Sequence, residues 1–118
     1  MSFLAFSNAT AKQRREARAQ ARIASELLKA MSHEGRLLML CLLAKGETAV
    51  SEIEVKLEMP QAAVSQQLAR LRLDGLVASR RDGRNIYYAV ARPEVTALLG
   101  ALDGLLSRSD QRPARARK

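Results

Sequence analysis

Apolar side chains recur at helical spacing through most of this chain, interrupted once by two short runs of strand composition. Residues 1–10 show no such period and are expected to form a flexible N-terminus. From Ala11 to Met31 strong helix formers dominate. Lys12, Arg14, Arg15 and Arg18 come early, while an apolar stripe of Ile23, Leu27, Leu28 and Met31 comes only late. This predicts a first helix whose leading half extends as an arm. Ser32 is placed to cap a second helix that starts at His33-Glu34. Leu37, Leu40, Cys41 and Ala44 then repeat at i, i+3, i+4 and i+7, which sets Cys41 on the core-facing side, and Gly46 ends the helix.

Val50-Ser51-Glu52-Ile53-Glu54 has capping-box spacing, with the Ser51 hydroxyl accepting from the Glu54 amide, and predicts a short third helix to about Glu58. Pro60 suits a place at or beside the first position of a fourth helix, where its missing amide hydrogen costs nothing, and Asp74-Gly75 should end that helix. Val64, Leu68 and Leu71 recur at i, i+4 and i+7 and must face the core. Gln61, Ala62, Ser65, Gln66 and Arg70 therefore point outward or to the flank. Two helices joined by a tight turn, the second with a polar outer face, make a helix-turn-helix.

Leu76-Val77-Ala78-Ser79-Arg80 and Ile86-Tyr87-Tyr88-Ala89-Val90 have strand composition, with the turn signal Asp82-Gly83 between them. Pro93 opens a last helix in which Val95, Leu98, Leu99, Leu102, Leu105 and Leu106 form an almost continuous apolar face. Residues 108–118, with Arg108, Arg112, Arg115, Arg117 and Lys118, read as a basic disordered tail. The expected fold is mainly α with a small β-hairpin: a winged helix-turn-helix domain over residues 11–107, with four helices, the hairpin and a last helix in chain order.

Composition narrows the partners. At 118 residues with 47% apolar side chains, the chain suits one domain, and two Phe, two Tyr and no Trp leave its core to Leu, Val, Ile and Ala. More Leu-rich helical face is present than so small a core needs, which points to a homodimer. The formal charge of +8 and pI near 10.6 call for an anionic partner, nucleic acid or a membrane surface. No apolar run is long enough to span a bilayer and no signal segment is recognised, so a cytoplasmic protein that does not enter the membrane is expected. One cysteine excludes an internal disulfide. A lone His without a cysteine cluster gives no structural zinc pattern, and no cofactor is implied.

A helix fits the B-DNA major groove, and Gln and Ser supply the mixed donors and acceptors that base edges require. Gln61, Ser65 and Gln66 are assigned to base or phosphate contact, Ala62 to leaving room for close approach, and Arg70 to phosphate. Taken singly, each is better explained by a solvated polar face. The hairpin shifts the balance: Arg80, Arg81 and Arg84 crowd a glycine turn with no local carboxylate except Asp82, so its tip is expected on phosphate or in the minor groove. No paired acid and base, nucleophile with a nearby His, or phosphate-cradling glycine loop is present, so an enzyme is not expected.

Met31-Ser32-His33-Glu34-Gly35-Arg36-Leu37, Gln61-Ala62-Ala63-Val64-Ser65-Gln66-Gln67-Leu68 and Arg80-Arg81-Asp82-Gly83-Arg84-Asn85-Ile86-Tyr87-Tyr88 together resemble the ArsR family of bacterial winged-helix repressors. The likeness covers roughly residues 20–107. It implies a homodimer joined through the first and last helices, binding to an imperfect palindrome in double-stranded DNA, and release when an inducer is sensed. The family's metal-sensing members carry Cys-x-Cys in the third helix or paired Asp and His in the last. Here the third helix reads Ser51-Glu52-Ile53-Glu54-Val55-Lys56-Leu57, and Asp103 has no His to pair with.

Leu37-Leu38-Met39-Leu40-Cys41-Leu42-Leu43-Ala44 resembles the family's thiol-sensing branch, which responds to sulfide-derived reactive sulfur, persulfide or polysulfide. In that branch a cysteine at the position of Cys41 works with a second one in the last helix. No second cysteine exists here, and Ser107 stands where its counterpart is expected. An engineered replacement of that cysteine, which would trap the reduced state, is expected in preference to a natural loss of the switch. On composition alone, Cys41 is a small buried hydrophobe. The alternatives are a redox-independent repressor of the same family and a basic nucleoid-type or membrane-surface protein without sequence preference.

Overall fold

The computed structural model describes residues 3–110, with side chains over residues 5–107, and the chain divides into two compact units, residues 1–34 and residues 35–118. In the first unit a 3-10 helix, Phe3–Asn8, precedes helix α1, Ala11–Met31. The absence of apolar period over residues 1–10 gives no sign of this short helix. Thr10 caps α1: its hydroxyl accepts from the Gln13 amide at 3.2 Å, and the Gln13 side-chain carbonyl accepts from the Thr10 amide at 3.0 Å. Arg14 donates to the Ala9 carbonyl at 2.8 Å, and the Arg18 guanidinium lies 5.8 Å from the centre of the Phe6 ring. At the other end of α1 the Ser32 hydroxyl donates to the Lys29 carbonyl at 2.8 Å. The serine expected to open the second helix thus has its proton on the last turn of the first.

All but the first residue of α2, Glu34–Ala44, lies in the second unit. A two-residue strand β1, Thr48–Ala49, leads directly into α3, Val50–Leu57, followed by α4, Gln61–Leu73, strands β2, Val77–Asp82, and β3, Asn85–Val90, and helix α5, Pro93–Asp110. The strands form one antiparallel sheet in the order β1-β3-β2. The hairpin is therefore joined by a third strand that the sequence did not announce, Thr48 pairing with Tyr88 and Ala49 with Tyr87. Two residues are too few to display alternation.

That strand also moves the start of α3. The expected capping box on Ser51 does not form: Ala49 is the N-cap, in extended conformation, and no side chain caps the helix. Pairing of β1 with β3 holds the chain extended through Ala49, so the helix begins at Val50 and Ser51 falls inside its first turn. Glu58 closes α3 in the left-handed region at φ 52°, and with Met59 and Pro60 it makes the tight turn into α4. Pro60 is the N-cap of α4, and Asp74 and Gly75 end it. Gly75 takes φ 76°, which lets the Leu76 amide reach back to the Leu71 carbonyl at 2.9 Å.

The second unit's core collects Met39, Leu40 and Leu43 from α2, Ile53 from α3, Val64, Leu68 and Leu71 from α4, Leu76 and Val77 from the start of β2, and Val95 and Leu99 from α5. The i, i+4, i+7 triplet expected of α4 is fully buried. Helix α2 departs from expectation: Leu40 is buried but Cys41 is exposed. Its buried set is Met39, Leu40 and Leu43, and at about 100° per residue Cys41 is turned away from all three. The last helix runs to Asp110, three residues into the expected tail; residues 111–118 lie outside the described residues.

Candidate nucleic-acid interface

With Val64, Leu68 and Leu71 packed inward, α4 presents Gln61, Ala62, Ser65, Gln66 and Arg70 as an exposed polar face. All five residues assigned from sequence lie where the period placed them. They divide into two rows. Gln61 and Ser65 border a groove of about 330 Å³ that is also lined by Ser51 and Glu54 of α3 and by Arg84, Asn85 and Tyr88 of the hairpin. Ala62, Gln66 and Arg70 form the neighbouring row. No side chain caps the N-terminus of α4, which leaves its first amides and the positive end of the helix dipole without a side-chain acceptor there. Arg70 is exposed but bonded to Asp74 one turn on, at 3.1 Å.

The hairpin turn is tighter than the strand compositions suggested. Asp82 pairs with Asn85, leaving Gly83 and Arg84 as the two turn residues, and Gly83 supplies φ 64°. Arg81 and Arg84 are exposed and make no ion pair among the described residues.

Arg80 is different, and here the sequence reading is corrected. Its guanidinium grips Glu47 with both arms, Nε to Oε2 at 2.6 Å and Nη2 to Oε1 at 2.7 Å, and lies 4.7 Å from the centre of the Tyr87 ring. Asp82, the only partner visible locally, is a distant second at 3.9 Å. Hydrogen bonding from Arg80 holds the Glu47 carboxyl below its ordinary value, and the same bonds hold Arg80 above its own; a slight loss of hydration opposes both shifts. Glu47 is 33 residues away in sequence, so no local pattern reveals it.

A second hollow, of about 200 Å³, brings Arg72 beside Ser79, Arg80 and Arg81. Arg72 is absent from the sequence assignment, yet a signal existed: it lies seven residues beyond Ser65, on the same helical face. Ser51 and Asn85 were also missed, because a groove between elements has no sequence period. Cys41 and Ser107, on α2 and α5, are both exposed. Among the described residues no cluster of three or more His, Cys, Asp or Glu side chains could hold a metal ion, and no helix is long and apolar enough to cross a membrane.

A helix-turn-helix whose second helix shows a polar face beside a basic hairpin defines a winged-helix DNA-binding regulator. Comparison with known proteins makes the assignment finer. Residues 33–79 match the model of the bacterial regulatory protein arsR family. The chain is 42% identical over 85 residues to the transcriptional activator HlyU of Vibrio cholerae, covering 72% of this chain and 79% of that protein. It is 43% identical over 76 residues to the biofilm growth-associated repressor of Agrobacterium fabrum, covering 64% and 65% of the two. The crystal structure of the transcriptional repressor BigR from Xylella fastidiosa superposes with TM-score 0.74 at 35% identity, over 78% of this chain and 94% of that one. The chain belongs to the ArsR family of winged-helix transcriptional regulators.

Proposed function

We propose that this regulator is a homodimeric, sequence-specific repressor that sets one α4 into each of two successive major grooves. Gln61, Ser65 and Gln66 read base edges, and Arg81 and Arg84 take phosphate at the wing. The observation that carries this reading is the two-sided character of α4: one face is locked into the core by Val64, Leu68 and Leu71, and the other is polar, exposed and flanked by the uncompensated arginines of the turn. Exposed apolar side chains support dimerisation. Ile23 and Leu28 on α1, each 55% exposed, and Leu105 and Leu106 on α5, at 57% and 65%, give both helices apolar surface that water would cover in a lone chain.

Cys41 is the sensing group in this proposal. Exposure admits a reagent to its sulfur, and a relative from Vibrio cholerae whose structure is described as reduced HlyU, 41% identical with TM-score 0.73, supports a redox role for the group. The Cys41 thiolate attacks a sulfane sulfur of a polysulfide, a new S–S bond forms, and the shortened polysulfide leaves with the electron pair. A neighbouring thiol would displace hydrosulfide from that persulfide to close a bridge, but Ser107 cannot. This chain therefore holds its DNA-binding state when oxidised. A tenfold loss of affinity needs only ~1.4 kcal/mol, so a bridge in a Ser107→Cys variant would suffice to release DNA.

The test is operator binding before and after polysulfide treatment, for the native chain and for Ser107→Cys. The proposal expects little change in the first and a fall of at least about tenfold in the second. A tenfold fall in the native chain would overturn the role given to Ser107.

A further inference from the structure

The wing carries three arginines, and the geometry separates them. We infer that Arg80 is a positioning residue, an internal clamp that fixes the wing relative to the recognition helix, and that it is not one of the residues that hold DNA phosphate. This deepens the proposed function and rests on the reading of the wing as a DNA element.

The clamp follows from the sheet order. With β1 and β2 on either side of β3, Arg80 stands directly across from Tyr87, and Tyr87 directly across from Ala49. Glu47 lies two residues before Ala49, beside the far edge strand. To reach it, the Arg80 side chain crosses the Tyr87 ring at 4.7 Å and closes a two-armed bond with Glu47 on the other side. One side chain thus ties all three strands together. A planar guanidinium with two of its five N–H donors on a carboxylate and its face on a ring has its charge partnered within the protein. The potential that would draw a phosphate is correspondingly reduced at Arg80 and undiminished at Arg81 and Arg84.

The clamp fastens a weak point. Strand β1 has only two residues, and α3 starts at the next one. Ala49, Val50 and Ser51 line the groove that Gln61 and Ser65 share with Arg84 and Asn85. Holding β1 to β2 across β3 therefore sets the width of that groove, which is the distance between the helix that enters the major groove and the turn that follows the backbone. Glu47 also lies three residues past the end of α2, the helix that carries Cys41, so the clamp joins the exit of that helix to the wing.

The experiment measures affinity for a selected operator duplex as a function of salt. Native protein is compared with Arg80→Ala, Arg81→Ala, Arg84→Ala, Arg80→Glu and the exchanged pair Arg80→Glu with Glu47→Arg, each checked for native circular dichroism. A lost phosphate contact lowers the slope of log affinity against log salt by about 0.9 per protomer site. Arg81→Ala and Arg84→Ala should each show that loss. Arg80→Ala should weaken binding with the native slope kept, and the exchanged pair should recover most of the affinity lost in Arg80→Glu. A slope for Arg80→Ala that falls as far as for Arg84→Ala, or an exchanged pair no better than Arg80→Glu, overturns the clamp while leaving the regulator reading intact. A native protein that prefers no duplex over any other overturns both.

Discussion

At the scale of the residue, position on α4 decides what a substitution does. Gln66 is on the exposed row of a helix whose other face is locked, so Gln66→Ala should reorder the preferred sequences at one or two base pairs, by ~1 to 3 kcal/mol each, with the salt slope unchanged. Binding-site selection on randomised duplexes reads this directly, and an unchanged preference would remove Gln66 from the reading face. Cys41 invites a second test. Its exposure predicts rapid alkylation in the folded state, measured by mass spectrometry in buffer and in denaturant; protection by orders of magnitude in buffer would show that a partner chain covers it. Residues with an intrahelical period were legible from sequence, as Val64, Leu68, Leu71 and their polar neighbours show. Cys41 was not, because a helix as uniformly apolar as Leu37 to Ala44 offers several competing faces. Nor was the pairing of Arg80 with Glu47, which exists only once three strands have come together.

At the scale of the element, the helix-turn-helix depends on one backbone strain and one buried row. Glu58 holds the left-handed conformation that ends α3, where an L side chain costs roughly 1 to 2 kcal/mol and glycine costs less. Glu58→Gly should therefore raise stability by about 0.5 to 1 kcal/mol after glycine's greater unfolded-state entropy is deducted, as measured by urea unfolding. A loss of more than that amount would mean that the Glu58 side chain holds the turn. Leu68→Ala removes a fully buried side chain from α4 and should cost about 2 to 5 kcal/mol. The wing clamp has a pH signature of definite sign. Because the Glu47 carboxyl is held below its ordinary value, its contribution is fully present above the ordinary carboxylate range and is lost as pH falls through the lowered value. Between pH 6 and 8 the clamp should be indifferent to pH, and NMR titration of the Glu47 carboxyl should show the depressed midpoint in native protein and its return upward in Arg80→Ala. The helices and hairpin were readable because turn and period signals agreed, although Ser32 gives its proton to the end of α1 and the cap expected on Ser51 does not form. Strand β1 was not, since two residues carry no period, and its pairing with β3 displaced the cap expected on Ser51.

At the scale of the whole molecule, charge and apolar surface point to the same assembly. A formal charge of +8 per chain favours an anionic partner such as DNA, and in the proposed dimer the exposed leucines of α5 would meet a second copy. Changing both Leu105 and Leu106 to Glu should shift the protein toward monomer in sedimentation and abolish tight operator binding, since a single reading helix contacts only one half-site. Retention of a full dimer would place the interface elsewhere. In the proposed function this chain reads sequence rather than merely charge, and footprinting on genomic fragments in competition with random duplex distinguishes the two. A discrete protected palindrome is expected, with half-sites about one helical turn apart and at least about a thousandfold preference at physiological salt. Uniform protection of any duplex with equal affinity would contradict it.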